Sequence, residues 1–216
     1  MPVFFILTFP LLTQRGHYRF AATWCSIVLG WLSICCGVKY TVKGIENISD
    51  NPAVYLSNHQ SSWETLLFYK LIYPLAPILK KELMNIPFWG WALRLTKPIA
   101  IDRSRPREAG KSLLTQGVQR LKSGSSVIVF PEGTRAEPGT INRFSRSGAT
   151  LAQAANVPVI PIVHNAGYAW PPKTFIKYPG LITVEFGKPI EVSDQSVNIV
   201  TEQAEKWVRA HFETRP

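Results

Sequence analysis

The sequence predicts an α/β fold in which a central mixed sheet is flanked by helices and preceded by an N-terminal apolar helical segment that meets a membrane. Three observations carry this. From residue 38 onward short β-rich runs alternate with helix-like ones, residues 20 to 38 contain no charge, and 216 residues suffice for one domain with a full core.

The chain opens on VFFILTFPLL (3–12), which is interrupted by Pro10 and too short to span a bilayer alone. The uncharged run FAATWCSIVLGWLSICCGV (20–38) follows, bracketed by Arg19 and Lys39. At 1.5 Å per residue it would just about cross a hydrocarbon layer. A secretory signal fits poorly, because no basic leader precedes the first run and a long apolar segment follows it. With TQRGHYR between them, the two runs either form a hairpin dipped into one leaflet or present one crossing helix. Trp24, Trp31 and the flanking cations suit interface anchors, and a helix packed in the protein's own core is the third alternative.

In the body the β-rich runs are VKYTV (38–42), AVYLS (53–57), APILK (76–80), PIAID (98–102), SVIVF (126–130), VPVIPIV (157–163) and ITVEFG (182–187). Helical patterns cover 63–73, 105–123 (ended by Gly124), 146–155 and 196–212, the last with a stripe of Val200, Ala204, Trp207, Val208 and Phe212. Pro158 and Pro161 make VPVIPIV an edge or irregular strand by expectation, because proline cannot donate to a ladder. Two aromatic and basic stretches, 86–95 and 168–180, read either as membrane-surface segments or as buried core aromatics.

Composition narrows the partners. Hydrophobic residues make up 46% and charged residues 18%, lean for a soluble domain, and Lys plus Arg total 24 against 14 acidic residues, a formal +10. That balance suits phosphate groups and anionic lipid; nucleic acid is disfavoured because the cations are scattered and no recognition motif appears. Cys25, Cys35 and Cys36 all lie in the apolar segment, with neither disulfide nor metal-site spacing, which fits a reducing compartment. His17, His59, His164 and His211 are likewise scattered, so no metal is expected and a structural role suits all but His59.

The stretch YLSNHQSSWETLL (55–67) places His59 five residues before Glu64. On one helix those positions would be about 140° apart, so they converge only across a helix boundary. Ser61 as N-cap with the Glu64 carboxylate returning to its backbone N–H is a capping box, which alone would explain the pattern. The same geometry turns the carboxylate toward the imidazole. A carboxylate on Nδ1 fixes the tautomer and leaves Nε2 free as a base. No G-x-S-x-G elbow supplies a protein nucleophile, so the nucleophile would come from the substrate.

A second stretch, VIVFPEGTR (127–135), ends a strand in a tight turn, Glu132-Gly133-Thr134-Arg135. Taken alone it is a charged turn or an anion site. Arg135 can fork onto phosphate oxygens, Gly133 permits close approach of backbone, and Glu132 can accept from a hydroxyl or hold the arginine.

NHQSSWE, KKEL, IDRS, FPEGTR and VPVIPIV, in that order and spacing, resemble the glycerolipid acyltransferase family, specifically the lysophosphatidic acid acyltransferases, over about residues 50 to 190. The resemblance implies transfer of a fatty acyl group from acyl-CoA or acyl-ACP to the sn-2 hydroxyl of 1-acylglycerol 3-phosphate (lysophosphatidate), giving phosphatidate in phospholipid synthesis, without a cofactor. It implies His59 as general base and Glu64 as its partner (an HX4E pattern), with Glu132, Gly133, Thr134 and Arg135 at the glycerol-phosphate site. Lys80 and Arg103 match further cation positions for the substrate phosphate, and VPVIPIV a block on the acyl-donor side. The chain then divides into a membrane-associated segment, 1–38, and an acyltransferase domain, 39–216. The expected setting is the cytoplasmic face of a bacterial inner membrane, with anionic lipid as a partner.

Three departures stand out. Glu64 replaces the usual Asp, Lys97 and Ala100 stand where Gly and Phe are frequent, and RFSRSGA (143–149) replaces a lysine-rich version, with Arg146 in its place. Two rivals remain: the same chemistry on another lyso-lipid or glycerol-phosphate acceptor, and an inactive basic protein that binds membrane surfaces.

Overall fold

The computed structural model describes residues 13–102 and 104–212; the apolar run at 3–12 and Arg103 lie outside the described residues. Elements follow the chain as α1 (Gln14–Cys36), β1 (Val38–Lys43), β2 (Val54–Ser57), α2 (Trp63–Leu71), β3 (Leu75–Lys80), α3 (Trp89–Leu95), β4 (Ile99–Ile101), α4 (Pro106–Lys122), β5 (Ser126–Val129), α5 (Ser147–Ala155), β6 (Val159–His164), β7 (Gly180–Phe186) and α6 (Val197–His211). Each β-rich run of the sequence becomes a strand. The seven residues of α3 went unpredicted, because two turns are too short to show a helical period.

The seven strands form one mixed sheet in the order β1-β7-β6-β2-β5-β3-β4. Strands β2 to β6 run parallel to one another, while β7 is antiparallel to β6 and parallel to β1. Strands β2, β5 and β6 are buried along their whole length, so both faces must be covered, which explains their continuous apolar composition. On one face Tyr55, Ile128, Ile160 and Phe186 pack with Trp63, Leu67 and Phe68 of α2 and Leu29 of α1. On the other, Val54, Leu56, Val127 and Val159 pack with Leu113, Leu151 and Val200 from α4, α5 and α6.

The expectation for VPVIPIV is corrected. β6 lies between β7 and β2, in the interior of the sheet. Pro161 is tolerated there because of where its missing N–H would point. The Pro161 carbonyl accepts the Gly187 N–H at 2.8 Å, so the forgone bond is the return bond to Gly187, one residue past the end of β7. The ladder begins at Ile162–Phe186, and nothing is lost from it.

Only a stripe of α1 is buried. His17, Tyr18, Cys25 and Leu29 face the body, whereas Ile27, Trp31 and Ile34 are exposed. The Tyr18 hydroxyl donates to the Thr96 carbonyl at 3.1 Å, and the Tyr73 hydroxyl donates to the Arg15 carbonyl at 3.1 Å. At its other end Gly37, in the left-handed region at φ 67°, closes the helix directly into β1. The helix therefore lies along the body from end to end, which a helix filling the protein's own core would not do with so much apolar surface outside. In the stretch 86–95, Ile86, Phe88 and Trp91 are exposed as well.

Candidate active site

Because β2 to β6 are parallel, the segments leaving their C-terminal ends meet along one edge of the sheet, where parallel α/β sheets commonly place ligands. His59 follows β2, Lys80 ends β3, the Glu132–Arg135 turn follows β5 and His164 ends β6. His59 Nδ1 lies 2.7 Å from Glu64 Oε1. A carboxylate only accepts, so Nδ1 carries the proton and Nε2 presents a lone pair. The same Glu64 oxygen accepts the Ser61 N–H at 3.1 Å, and Ser61 Oγ accepts the Trp63 N–H at 3.1 Å. The N-cap falls at Ser62, one residue later than the sequence suggested and without a side-chain cap bond, so the single Glu64 oxygen serves two donors in the turn just ahead of α2, the Ser61 N–H and His59 Nδ1.

Glu64 is fully buried and His59 nearly so, at 8% exposure. Burial pushes the Glu64 carboxyl up, but the nearby imidazoles of His164 and His59 outweigh it and hold that carboxyl below its ordinary range. The Phe130 ring stacks on the His59 ring with centroids 4.0 Å apart and planes 19° from parallel. Backbone contacts then lock the loop. His59 N–H donates to Glu132 Oε1 at 2.7 Å, Asn142 N–H donates to Glu132 Oε2 at 2.7 Å, and Ala136 N–H donates to the His59 carbonyl at 2.7 Å. Glu132 therefore straps the loop to His59 through the backbone, with Arg135 one residue from the Ala136 link. Burial raises the Glu132 carboxyl, opposed by those two amide donors.

Gly133 sits at φ 74° with its N–H on the Phe130 carbonyl, a turn that only glycine adopts without strain. Thr134 and Arg135 are exposed beyond it. Beside them opens a cavity of about 530 Å³ whose wall includes Trp24 and Val28 of α1, Leu66 of α2, Phe130, Arg135 and Trp170. It is apolar apart from Arg135 and a few hydroxyl groups, and its size lies in the usual range for small-molecule sites. Phe130, whose ring stacks on His59, belongs to that wall, whereas His59 itself does not.

The acyltransferase family model matches residues 39–165. The chain belongs to the acyltransferase family. It is 46% identical, over 92% of its length and 79% of the relative's, to the 1-acyl-sn-glycerol-3-phosphate acyltransferase of Pseudomonas aeruginosa. A chloroplastic 1-acyl-sn-glycerol-3-phosphate acyltransferase of Arabidopsis thaliana is 35% identical over 73% of this chain, which spans 43% of that protein. Among solved structures, the 1-acyl-sn-glycerophosphate acyltransferase PlsC from Thermotoga maritima shares the fold, with a TM-score of 0.79 and 24% identity over 96% of this chain and 86% of that one.

Within the acyltransferase, the sequence-derived site residues are brought together unevenly. His59, Glu64, Glu132, Gly133 and Arg135 form one connected loop system. Lys80 shares its edge, exposed at the end of β3, but among the described residues no hydrogen bond or ion pair ties it to that system. Lys97 takes φ 48°, a left-handed conformation that favours glycine, and its carbonyl accepts from Arg120 Nε at 2.7 Å.

Sequence reading missed the clasp behind the acyltransferase's imidazole. Asn58 Nδ2 donates to the His164 carbonyl at 2.8 Å, and His164 N–H donates to Asn58 Oδ1 at 3.0 Å. The Ala166 N–H points at His164 Nδ1, so Nε2 carries the ring proton and donates to the Asn58 carbonyl at 2.9 Å. Three bonds thus join the ends of β2 and β6 immediately before His59. Replacing Asn58 by Ala strands a buried N–H and a buried C=O, and a loss of about 2–4 kcal/mol in unfolding free energy is expected from denaturant titration. A loss below about 0.5 kcal/mol would contradict the clasp.

Burial holds the His164 imidazole below its ordinary value, against the pull of the Glu64 carboxylate. An unfolded imidazole protonates near pH 6.5, so below that the unfolded chain binds more protons than the folded one. Stability from this group is complete above about pH 6.5 and falls as the pH drops toward the lowered folded value. Glu64 adds a second loss at lower pH, because its folded carboxyl is depressed and its contribution disappears as the pH falls through that value. Tm is therefore expected to decline from pH 7 to pH 5, and His164→Phe to flatten the decline. An unchanged slope in the variant would assign it to other groups.

Proposed function

We infer that this acyltransferase moves a fatty acyl group from a coenzyme A or acyl carrier protein thioester to the sn-2 hydroxyl of 1-acylglycerol 3-phosphate, giving phosphatidate and the free thiol. The observation that carries this reading is the 2.7 Å contact between His59 Nδ1 and Glu64 Oε1 at the C-terminal edge of the sheet, with Arg135 and an apolar cavity beside it. The relatives' activity supplies the substrate class.

In this reading His59 Nε2 takes the acceptor's hydroxyl proton as its oxygen attacks the thioester carbonyl. The tetrahedral intermediate collapses, the carbon–sulfur bond breaks and the thiolate recovers the proton from the imidazolium. Glu64 stabilises that imidazolium without itself being protonated. A positioned base contributes about 10²–10⁴ in rate, and alignment of two bound substrates several kcal/mol more. Arg135, with Lys80 and Arg103, meets the acceptor's phosphate, while Glu132 and Gly133 hold the turn and Thr134 offers a hydroxyl beside it. The apolar cavity takes an acyl chain.

In this reading residues 1–38 form the membrane-associated segment and 39–216 the acyltransferase domain. Because α1 is docked along the body from Arg15 to Gly37, it lies in the interface and does not cross the bilayer; its exposed Ile27, Trp31 and Ile34 meet lipid. The body then faces the cytoplasm, where acyl thioesters are available.

The test is acyl transfer from labelled oleoyl thioesters of coenzyme A and of acyl carrier protein to a panel of glycerol 3-phosphate, lysophosphatidate and other lyso-lipids. Preference for lysophosphatidate is expected; equal or better use of another acceptor would overturn the assignment.

A further inference from the structure

The loop between β6 and β7 carries exposed apolar side chains that the chemistry above leaves unused. Phe175 is 94% exposed, Ile176 60% and Tyr178 51%. The loop is tied to itself. Trp170 Nε1 donates to the Thr174 carbonyl at 3.0 Å, Ile176 N–H to Thr174 Oγ1 at 3.0 Å, and Tyr178 N–H to the Ala169 carbonyl at 2.8 Å. The Lys177 ammonium rests over the Trp170 ring, 4.2 Å from its centroid. Internal bonds thus hold a phenylalanine and an isoleucine out into solvent beside a cation, an arrangement that marks a contact surface.

Topology decides where this surface faces. Since β7 and β1 oppose the other strands, their N-terminal ends lie on the same edge as the C-terminal ends of β2 to β6. The loop leaves β6 at His164 and enters β7 at Gly180, whose N–H donates to the carbonyl of Gly37, the residue that closes α1. Trp31 and Ile34, exposed at 63% and 83%, occupy the last turns of α1 before that glycine. Trp170 and Trp24 line the same cavity. The exposed end of α1, the loop and the mouth beside Arg135 therefore share one edge of the molecule.

We propose that residues 170–178 form a second bilayer contact, in which Phe175, Ile176 and Tyr178 enter the acyl boundary of an anionic leaflet while Lys173 and Lys177 meet its phosphate groups. The proposal rests on the membrane association of α1. One interfacial helix leaves the body free to roll about the helix axis; a contact beyond its end removes that freedom and seats the cavity mouth on the lipid. Lipid fits this loop better than an acidic protein does, because its tip is apolar and runs on from the apolar end of α1, while the formal +10 of the chain complements anionic headgroups.

The test uses the full chain with Cys35 and Cys36 replaced by Ser and one environment-sensitive dye on a cysteine introduced by Phe175→Cys, Trp31→Cys or Ile45→Cys. Ile45 is 55% exposed beyond the far end of β1, about 16–20 Å from Val38, and serves as the aqueous control. With mixed phosphatidylcholine and phosphatidylglycerol vesicles, the dyes at 175 and 31 are expected to shift to the blue and to be quenched by brominated lipid, while the dye at 45 stays in water. A response at 31 without one at 175 overturns the proposal and leaves the membrane reading intact; silence at both overturns both. A response at 175 to acyl carrier protein and not to vesicles also overturns it.

Activity supplies a second measurement. Phe175→Glu with Ile176→Glu is expected to raise KM for lysophosphatidate presented in vesicles by about tenfold or more, since burial of either side chain is worth at least that factor. On a short-chain, monomeric acceptor kcat is expected to stay at the wild-type value. Equal loss on both acceptors would make the loop part of the substrate site and overturn the proposal.

Discussion

His59→Ala is expected to lower kcat by about 10²–10⁴-fold, the contribution of a positioned general base. The loss should fall on kcat, with little change in KM for lysophosphatidate, because the phosphate is assigned to Arg135, Lys80 and Arg103. Folding should survive. Glu64 Oε1 keeps the Ser61 N–H at 3.1 Å when the imidazole is gone, so the turn that leads into α2 persists. Glu64→Gln separates orientation from charge. The carboxamide oxygen can take over both the Ser61 N–H and the Nδ1–H, so the tautomer is kept while the imidazolium loses the negative charge that stabilises it, and a smaller drop in kcat than in His59→Ala is expected. Steady-state assay of both variants, with circular dichroism to confirm the fold, checks this; activity within tenfold of wild type in His59→Ala would remove His59 from the chemistry.

The second large effect concerns stability. Trp63 is the first residue of α2, fully buried, and the largest side chain in that class. It packs between the helix and the sheet, with the Tyr40 ring edge-on at 5.4 Å. Trp63→Ala opens a cavity that neither α2 nor β1 can close, since each is held by its own hydrogen bonds. A loss of about 3–5 kcal/mol is expected, a large part of the 5–15 kcal/mol that a domain commonly has. For a chain of this size that corresponds to a Tm lower by about 6–20 °C. Calorimetry gives the answer directly, and a shift under about 3 °C would show that the site collapses or that Trp63 does not bear on global stability. Activity should fall with it at assay temperature, because the neighbouring residue is Glu64.

Much of the fold was legible before any coordinates. Every strand lay in a β-rich run, because a sheet covered on both faces demands uninterrupted apolar residues, and such runs are visible along the chain. The His59–Glu64 pair was legible for a similar reason: helix capping is local, and the residues that form it lie within six positions. Strand order was not legible in the same way. VPVIPIV read as an edge because its prolines forbid donation, yet the sheet places the missing donor where β7 has already ended. That depends on the register of a strand distant in sequence.

Local chemistry therefore determined the elements, the imidazole–carboxylate pair and the FPEGTR turn, since each is written in residues close along the chain. The tertiary structure alone decided what surrounds them. The Asn58–His164 clasp spans 106 positions and the Glu132 strap 73, distances over which no sequence period or motif carries information. Phe130 stacks on His59 only because β5 happens to neighbour β2, and loop 170–178 adjoins the end of α1 only because β7 reverses direction beside β1. Contacts of this kind arise from sheet topology, the global balance of burial that no short stretch of residues can specify.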